Sequence, residues 1–336
     1  MSDYKLTPRE NLIETMKGGK PERFVQQYEA FNTPFRDLAT YRWRNNPRPG
    51  EIDKKNNWGV TVSWAEGQPG AFPNHRPDLI VCKDIEEWQE YVKAPDPYTI
   101  PEAEWEKDQE VWEKIDRTQQ FATFFVAPGL FEQCHYLLEI QNCLMSFYTN
   151  PDEMHELIDC LTQWELDYAA EVCKYLKPDA LFHHDDWGSQ QSTFISPDMF
   201  REFYKPAYEK VYGYYKAHGV QLIVHHSDSY AATLVPDMID MGIDIWQGVM
   251  TSNDIPKLIK EYGGKISFMG GIDSASVDHP GWTEEEVRRE VRRACDECGK
   301  LYFIPNASQG LPMSTFPGVY ETLTREIDAY SKEVFK

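Results

Sequence analysis

A-L-F-H-H-D-D-W-G-S-Q, residues 180–190, runs from a short apolar strand straight into histidine, aspartate and a glycine turn. The same change recurs four more times. Leu222–Val224 leads into H-H-S-D-S at 225–229, Ile243–Trp246 into Gln247-Gly248, Phe268-Met269 into G-G-I-D at 270–273, and Leu301–Ile304 into P-N-A-S-Q-G-L-P at 305–312. A parallel barrel places its catalytic groups at strand C-termini and in the loops that follow. A lone histidine there is as readily a hydrogen-bonded structural residue, and Asp228 and Ser229 could simply cap a helix. Five polar strand ends together point to one chemical face.

Outward from this stretch, short β-rich runs alternate with stretches of helical period. Expected strands are Phe24–Tyr28, Leu79–Cys82, Phe121–Ala127, Ala180–His183, Gln221–His225, Ile243–Trp246, Ile266–Met269 and Leu301–Ile304. Helices are expected near 151–177, 197–218, 230–241, 254–262, 283–299 and 317–334. Asn150-Pro151 and Ser196-Pro197 place a capping residue before a proline at the first helical position, and Thr283 opens a capping box with Glu286. The rhythm argues a parallel sheet, and about eight strands over this length favour a (β/α)8 TIM barrel over an open doubly wound sheet. No G-x-G-x-x-G follows an early strand, which argues against a dinucleotide fold. A single domain over 1–336 is expected, with an irregular N-terminal region of about 120 residues. Residues 29–78, rich in Asn, Pro, Gly and Trp, offer only a short helix candidate, and loops that long often cover a site.

The formal charge of −21 repels phosphate backbones, so no nucleic-acid partner is expected. It also disfavours a heavily anionic small substrate unless basic residues cluster locally. Ten tryptophans and nineteen tyrosines suit either a large core or the walls of an apolar pocket. No apolar run approaches the ~18 residues of a membrane span, and Met1–Glu10 lacks the apolar core of a signal peptide. A cytoplasmic protein away from membranes is expected. Seven cysteines read as reduced thiols rather than a disulfide framework. Cys295 and Cys298 form a CxxC within the charged helical run Glu284–Cys298, with no second CxxC to complete a zinc site.

In its strand-end motifs the chain resembles the uroporphyrinogen decarboxylase superfamily of (β/α)8 barrels, most clearly over roughly residues 120–335. The order of features is similar: P-G-L-F-E-Q at 128–133, the D-D-W-G-S-Q loop, the strand ending in His225, G-G-I-D at 270–273, then Gly310-Leu311-Pro312. The superfamily holds porphyrinogen decarboxylases and methyltransferases that exchange methyl groups with a corrinoid protein. The decarboxylases carry an early R-Q-A-G-R-Y-type segment for substrate carboxylates, and Tyr28–Arg44 lacks it. Thiol methyltransferases of methanogens hold zinc with His-x-Cys and a later Cys. Here His225 stands in the histidine position, Ser227 replaces the first cysteine, and Ala307-Ser308-Gln309-Gly310 has none at the second.

The likeness implies the substrate-side methyltransferase of an anaerobic O-demethylase system, moving methyl from an aryl methyl ether such as a methoxylated phenol to cobalt(I) on a corrinoid protein. Alternatives are another methyl donor, porphyrinogen decarboxylation, a metal-dependent barrel hydrolase, or a binding protein without catalysis. The D-x-H-x-x-G signature of corrinoid-binding proteins is absent, so a partner must bring the cobalamin. Asp185, Asp186, His225 and His226 are the expected catalytic groups, supplying a proton or an electrophile at the ether oxygen. Tyr28, His184, Trp187, Trp246, Gln247, Phe268, Asn306, Gln309 and Phe316 are the expected substrate contacts. Zinc on His225 is the competing electrophile, with His184, Asp185 or His226 as further harder ligands. Members of the superfamily often pair, so a homodimer is also an expectation.

Overall fold

The computed structural model describes residues 4–34, 43–68, 70–309 and 314–335. Seven strands form one parallel sheet: β1 (Phe31–Asn32), β5 (Phe121–Val126), β6 (Ala180–His184), β7 (Leu222–His226), β8 (Ile245–Val249), β9 (Ser267–Ile272) and β10 (Phe303–Ala307), each paired with the next. Three short strands, β2 (Lys54–Lys55), β3 (Thr61–Ser63) and β4 (Phe72–Pro73), make a separate antiparallel sheet in the N-terminal region. Helices follow the major strands, so the fold is α/β, as the alternation of patterns predicts.

Side chains alternate along each strand and divide the core in two. Phe31, Phe121, Ala180, Phe182, Leu222, Val224, Ile245, Met269 and Ile304 meet in an interior cluster. That residues of β1 and β10 share this cluster with every strand between them means the sheet is curled. Ala122, Phe124, Leu181, Ile223, Trp246, Phe268 and Phe303 point the other way, into the layer under the helices.

Two expected strands are absent. Phe24–Tyr28 turns at Gln27, whose φ of 53° is left-handed, and the backbone N–H of Phe24 bonds the Ser331 hydroxyl of the C-terminal helix instead of a sheet neighbour. The strand forms later, at β1. Leu79 sits in a turn, and Cys82 N–H donates to Leu137 O at 2.9 Å, so this segment packs on a helix end. Among the described residues the ladder therefore does not close between β10 and β1. Side chains bridge that seam: Asn306 Nδ2 donates to Gln27 Oε1 at 3.2 Å, and Gln27 Nε2 to Thr324 Oγ1 at 2.8 Å.

The later strands start or end beyond their expected bounds because polar residues and glycines continue the ladder. Tyr302, with φ 63°, delays β10 to Phe303. The expected helix at 197–218 is two, Pro197–Phe203 and Lys205–Ala217, divided just before Pro206 at the start of the second. Ser196 and Thr283 cap as predicted, while Asn150 takes the N-cap position before Pro151 without a side-chain cap bond. Residues 29–78 include the small antiparallel sheet rather than a helix alone. Asn56 Oδ1 accepts from Trp58 N and Val60 N, both at 3.0 Å, and shapes the turn between β2 and β3. All seven cysteines are free thiols, and Cys295 and Cys298 are buried on the helix Glu284–Cys298. Among the described residues no helix is long and apolar enough to cross a membrane.

Candidate active site

Strands β6 and β7 both end in His-His, and the period of two separates each pair. Phe182 and Val224 face the interior, so His184 and His226 follow them inward. Leu181 and Ile223 face the helices, and His183 and His225 share that side. The register sets His183 beside His225 and His184 beside His226.

The outer pair is locked. His183 Nε2 lies 3.2 Å from Glu165, and Tyr212 OH lies 3.2 Å from His183 Nδ1 and 2.8 Å from His225 Nδ1. Trp187 stacks on His225 with centroids 3.9 Å apart. His225 is fully buried, and burial, then the neighbouring histidines, hold its pKa well below the ordinary value. The expected metal ligand thus lies behind the wall, away from open space.

The inner pair faces a cavity. The rings of His184 and His226 stack at 4.2 Å. Glu132 Oε2 sits 3.0 Å from His184 Nδ1, and Gln247 Oε1 takes His226 Nδ1, so each ring has one nitrogen left for a ligand. Burial alone would lower the His184 pKa, but the Glu132 carboxylate and then Asp186 raise it to about 10. Burial, then His184, lowers His226 to about 4.

Asp185 and Asp186 also part company. Asp185 is fully buried and caps the helix Leu130–Leu138, accepting from Phe131 N at 2.9 Å and Glu132 N at 2.8 Å, with a third bond from Tyr208 OH. Gly129, the N-cap position, has no side chain to do this; a Cβ there would come within 2.5 Å of Asp185 Cβ. Asp186 faces the cavity, accepts from Asp228 N at 2.9 Å, and lies 3.7 Å from His226 Nε2. Burial and then Asp186 raise the Asp228 pKa to about 8; burial and then Glu132 raise Asp185 to about 7.

The cavity has a volume of ≈ 770 Å³. Phe125, Phe182, Tyr136 and Phe194 line it, together with Phe72 of β4 and Trp64 just after β3, from the N-terminal region. Glu132, His184, Asp186, His226, Asp228 and Gln247 form its polar floor. Of the expected site residues, Tyr28, His184, Asp186, His226, Gln247, Gln309 and Phe316 line it. Asp185, Trp187, His225, Trp246, Phe268 and Asn306 do not: all are buried in the layer behind or beside it. Trp246 donates to Ser227 O at 2.9 Å, and Asn306 accepts from Gln247 Nε2 at 3.1 Å, supporting the floor from the side. Gly188 is at the cavity and Gly248 behind it, where φ of 87° and a Cβ 3.1 Å from the His226 ring would strain any larger residue. Gly310–Pro312 falls outside the described residues, as does part of Tyr28–Arg44.

His184, Asp186 and His226 each bring one ligand atom within 4.8 Å of the others. Each ring's second nitrogen is held by Glu132 or Gln247, the arrangement that orients metal-bound imidazoles. The donor set fits a divalent cation such as zinc.

Residues 57–330 match the family model described as Uroporphyrinogen decarboxylase (URO-D). The chain belongs to that family. Its structure is similar to that of a methyltransferase from Methanosarcina mazei, with TM-score 0.68 and 15% identity, over 97% of this chain and 99% of that one. At that identity the likeness is one of fold. No curated protein matches the chain. Within this uroporphyrinogen decarboxylase fold, sequence reading missed Glu132, His135, Arg44, Asp228 and the aromatic residues of the small sheet. Glu132 lay inside the quoted P-G-L-F-E-Q motif, and Asp228 lies two residues beyond inward-facing His226. Nothing local marked Trp64 or Phe72, whose place depends on how the small sheet folds over the cavity.

The His184 shift makes a prediction. In chelator-treated protein the folded pKa of about 10 exceeds the unfolded value near 6.5, so its contribution is complete below pH 6.5 and is lost as pH rises through 10. The thermal midpoint should fall over that window, and fall less in His184→Gln. Equal slopes in both proteins would remove His184 as the cause.

Proposed function

We propose that this chain is an enzyme that transfers the methyl group of an aryl methyl ether to the cobalt(I) corrinoid of a separate protein. One observation carries the reading: an aromatic-walled cavity whose floor gathers His184, Asp186, His226, Asp228 and Glu132. Family membership and a methyltransferase fold neighbour support methyl transfer as the class. Porphyrinogen decarboxylation is disfavoured by the floor itself, since a poly-carboxylate would meet Glu132 and Asp186.

In this mechanism the substrate ring lies against the wall formed by the stacked Phe125 and Phe182 and their neighbours, which exclude water from the reacting bond. The corrinoid supplies the nucleophile: a cobalt–carbon bond forms as the methyl carbon–oxygen bond breaks, and the phenolate keeps the electron pair. An unactivated phenolate leaves poorly, so the floor must stabilise charge at its oxygen. His184, Asp186 and His226 would hold a divalent cation there, where it would act as a Lewis acid. Glu132 and Gln247 orient the two imidazoles. Asp228, beside Asp186, is placed to deliver the proton that turns phenolate into phenol.

The test is incubation with a methoxylated phenol and a reduced corrinoid protein, with and without a chelator. Phenol release that requires the corrinoid is the expected result, and chelation should abolish it. No release across a panel of aryl ethers would overturn the ether reading; release indifferent to chelator would leave the acid groups alone at the oxygen.

A further inference from the structure

We propose that the aryl ether taken by this site carries a carboxylate and that Arg44 recognises it, an assignment that rests on the methyl-transfer reading. Arg44 lines the cavity yet is only 7% exposed. Its guanidinium lies 5.1 Å and 5.0 Å from the ring centroids of Trp164 and Tyr168, which stack on each other at 5.2 Å. One Nη1 donor goes to Ala127 O, and the buried Nε has no hydrogen-bond partner. Among the described residues no carboxylate pairs with Arg44.

A guanidinium keeps its charge and presents five N–H donors in a planar fork. Burying one without a counter-ion is costly, and this one is buried against a cavity with no carboxylate paired to it among the described residues. The ring contacts hold the guanidinium in place, and its Nη donors not used by Ala127 remain to take a carboxylate oxygen. Arg44 is also the one lysine or arginine among the described residues that line the cavity, whereas Glu132, Asp186, Asp228 and Asp278 all line it. The His184 charge on the floor is already taken by Glu132, so the floor offers an anion no unpaired cation. A methoxylated aromatic acid would therefore bind with its carboxylate at Arg44 and its methoxy group directed to His184 and His226. In a chain of net charge −21, a local cation such as Arg44 lets the cavity select a mono-anion.

The experiment compares 4-methoxybenzoate with its neutral counterpart 4-methoxybenzamide by calorimetry, without corrinoid protein. The benzoate is expected to bind about 10- to 100-fold more tightly, as for a hydrogen bond to a charged group. Arg44→Gln should bring the benzoate to the amide's level, with a cooperative thermal melt reporting that the variant is folded. Arg44→Lys, keeping charge without the fork, should retain part of the preference. Equal binding of the two ligands by the wild-type protein, or a preference that survives Arg44→Gln, overturns the proposal. Turnover separates the two readings. A preference abolished in Arg44→Gln, with no phenol released in the presence of reduced corrinoid protein, upholds Arg44 and overturns ether cleavage. Equal release from both ethers by both proteins does the reverse.

Discussion

His226→Ala is expected to lower kcat/KM for corrinoid-dependent phenol release by about a hundred- to ten-thousandfold, the range for losing an acid–base or metal-holding group. The side chain reaches the cavity, stacks on His184 at 4.2 Å and lies 3.7 Å from Asp186. Its removal takes one of three candidate cation ligands and leaves Asp186 and Asp228 facing each other without it. The fold should survive, because the lost contacts border open space: the Gln247 bond is worth about 1 kcal/mol. Steady-state kinetics together with a melting curve decide it. Wild-type turnover in a folded variant would remove His226 from the machinery.

The residue before it should behave in the opposite way. His225→Ala is expected to cost about 3–5 kcal/mol of stability, as for deleting a fully buried ring. The imidazole is sandwiched against Trp187 at 3.9 Å and holds the Tyr212 hydroxyl at 2.8 Å. Removing it opens a void beside Trp187 and leaves Tyr212 bonded to His183 alone. A urea titration would read this directly. A variant as stable as the wild type would show that the wall behind the cavity does not depend on His225. Adjacent residues on one strand thus separate into a chemical and a structural role.

That separation marks what could be read from sequence and what could not. The α/β rhythm, six of the strands near their places, and the polar strand ends were legible because hydrophobic runs and caps are local signals. Which histidine of each pair faces inward depends on strand parity. It could have been counted from apolar Phe182 and Val224, but the resemblance drew attention to His225. Asp185 is expected from sequence as a catalytic group like Asp186; only the long-range bonds from Phe131 N and Glu132 N make it a helix cap. The true neighbour of Asp186 is Asp228, forty-two positions away. The missing strand at Phe24–Tyr28 failed for a related reason, since Gln27 adopts a left-handed turn that its side-chain partners on the C-terminal helix hold in place.

The bonds that cross the open seam have a dynamic meaning. From the floor, His226 meets Gln247, Gln247 meets Asn306, Asn306 meets Gln27, and Gln27 meets Thr324. Every link is a side chain that must choose one orientation, so the row acts as a latch between β1 and β10, which do not pair among the described residues. Unpaired edges are where a sheet breathes. Loading or reorienting His226 is therefore expected to change amide exchange along β1 and β10, a readout of what the cavity floor is holding.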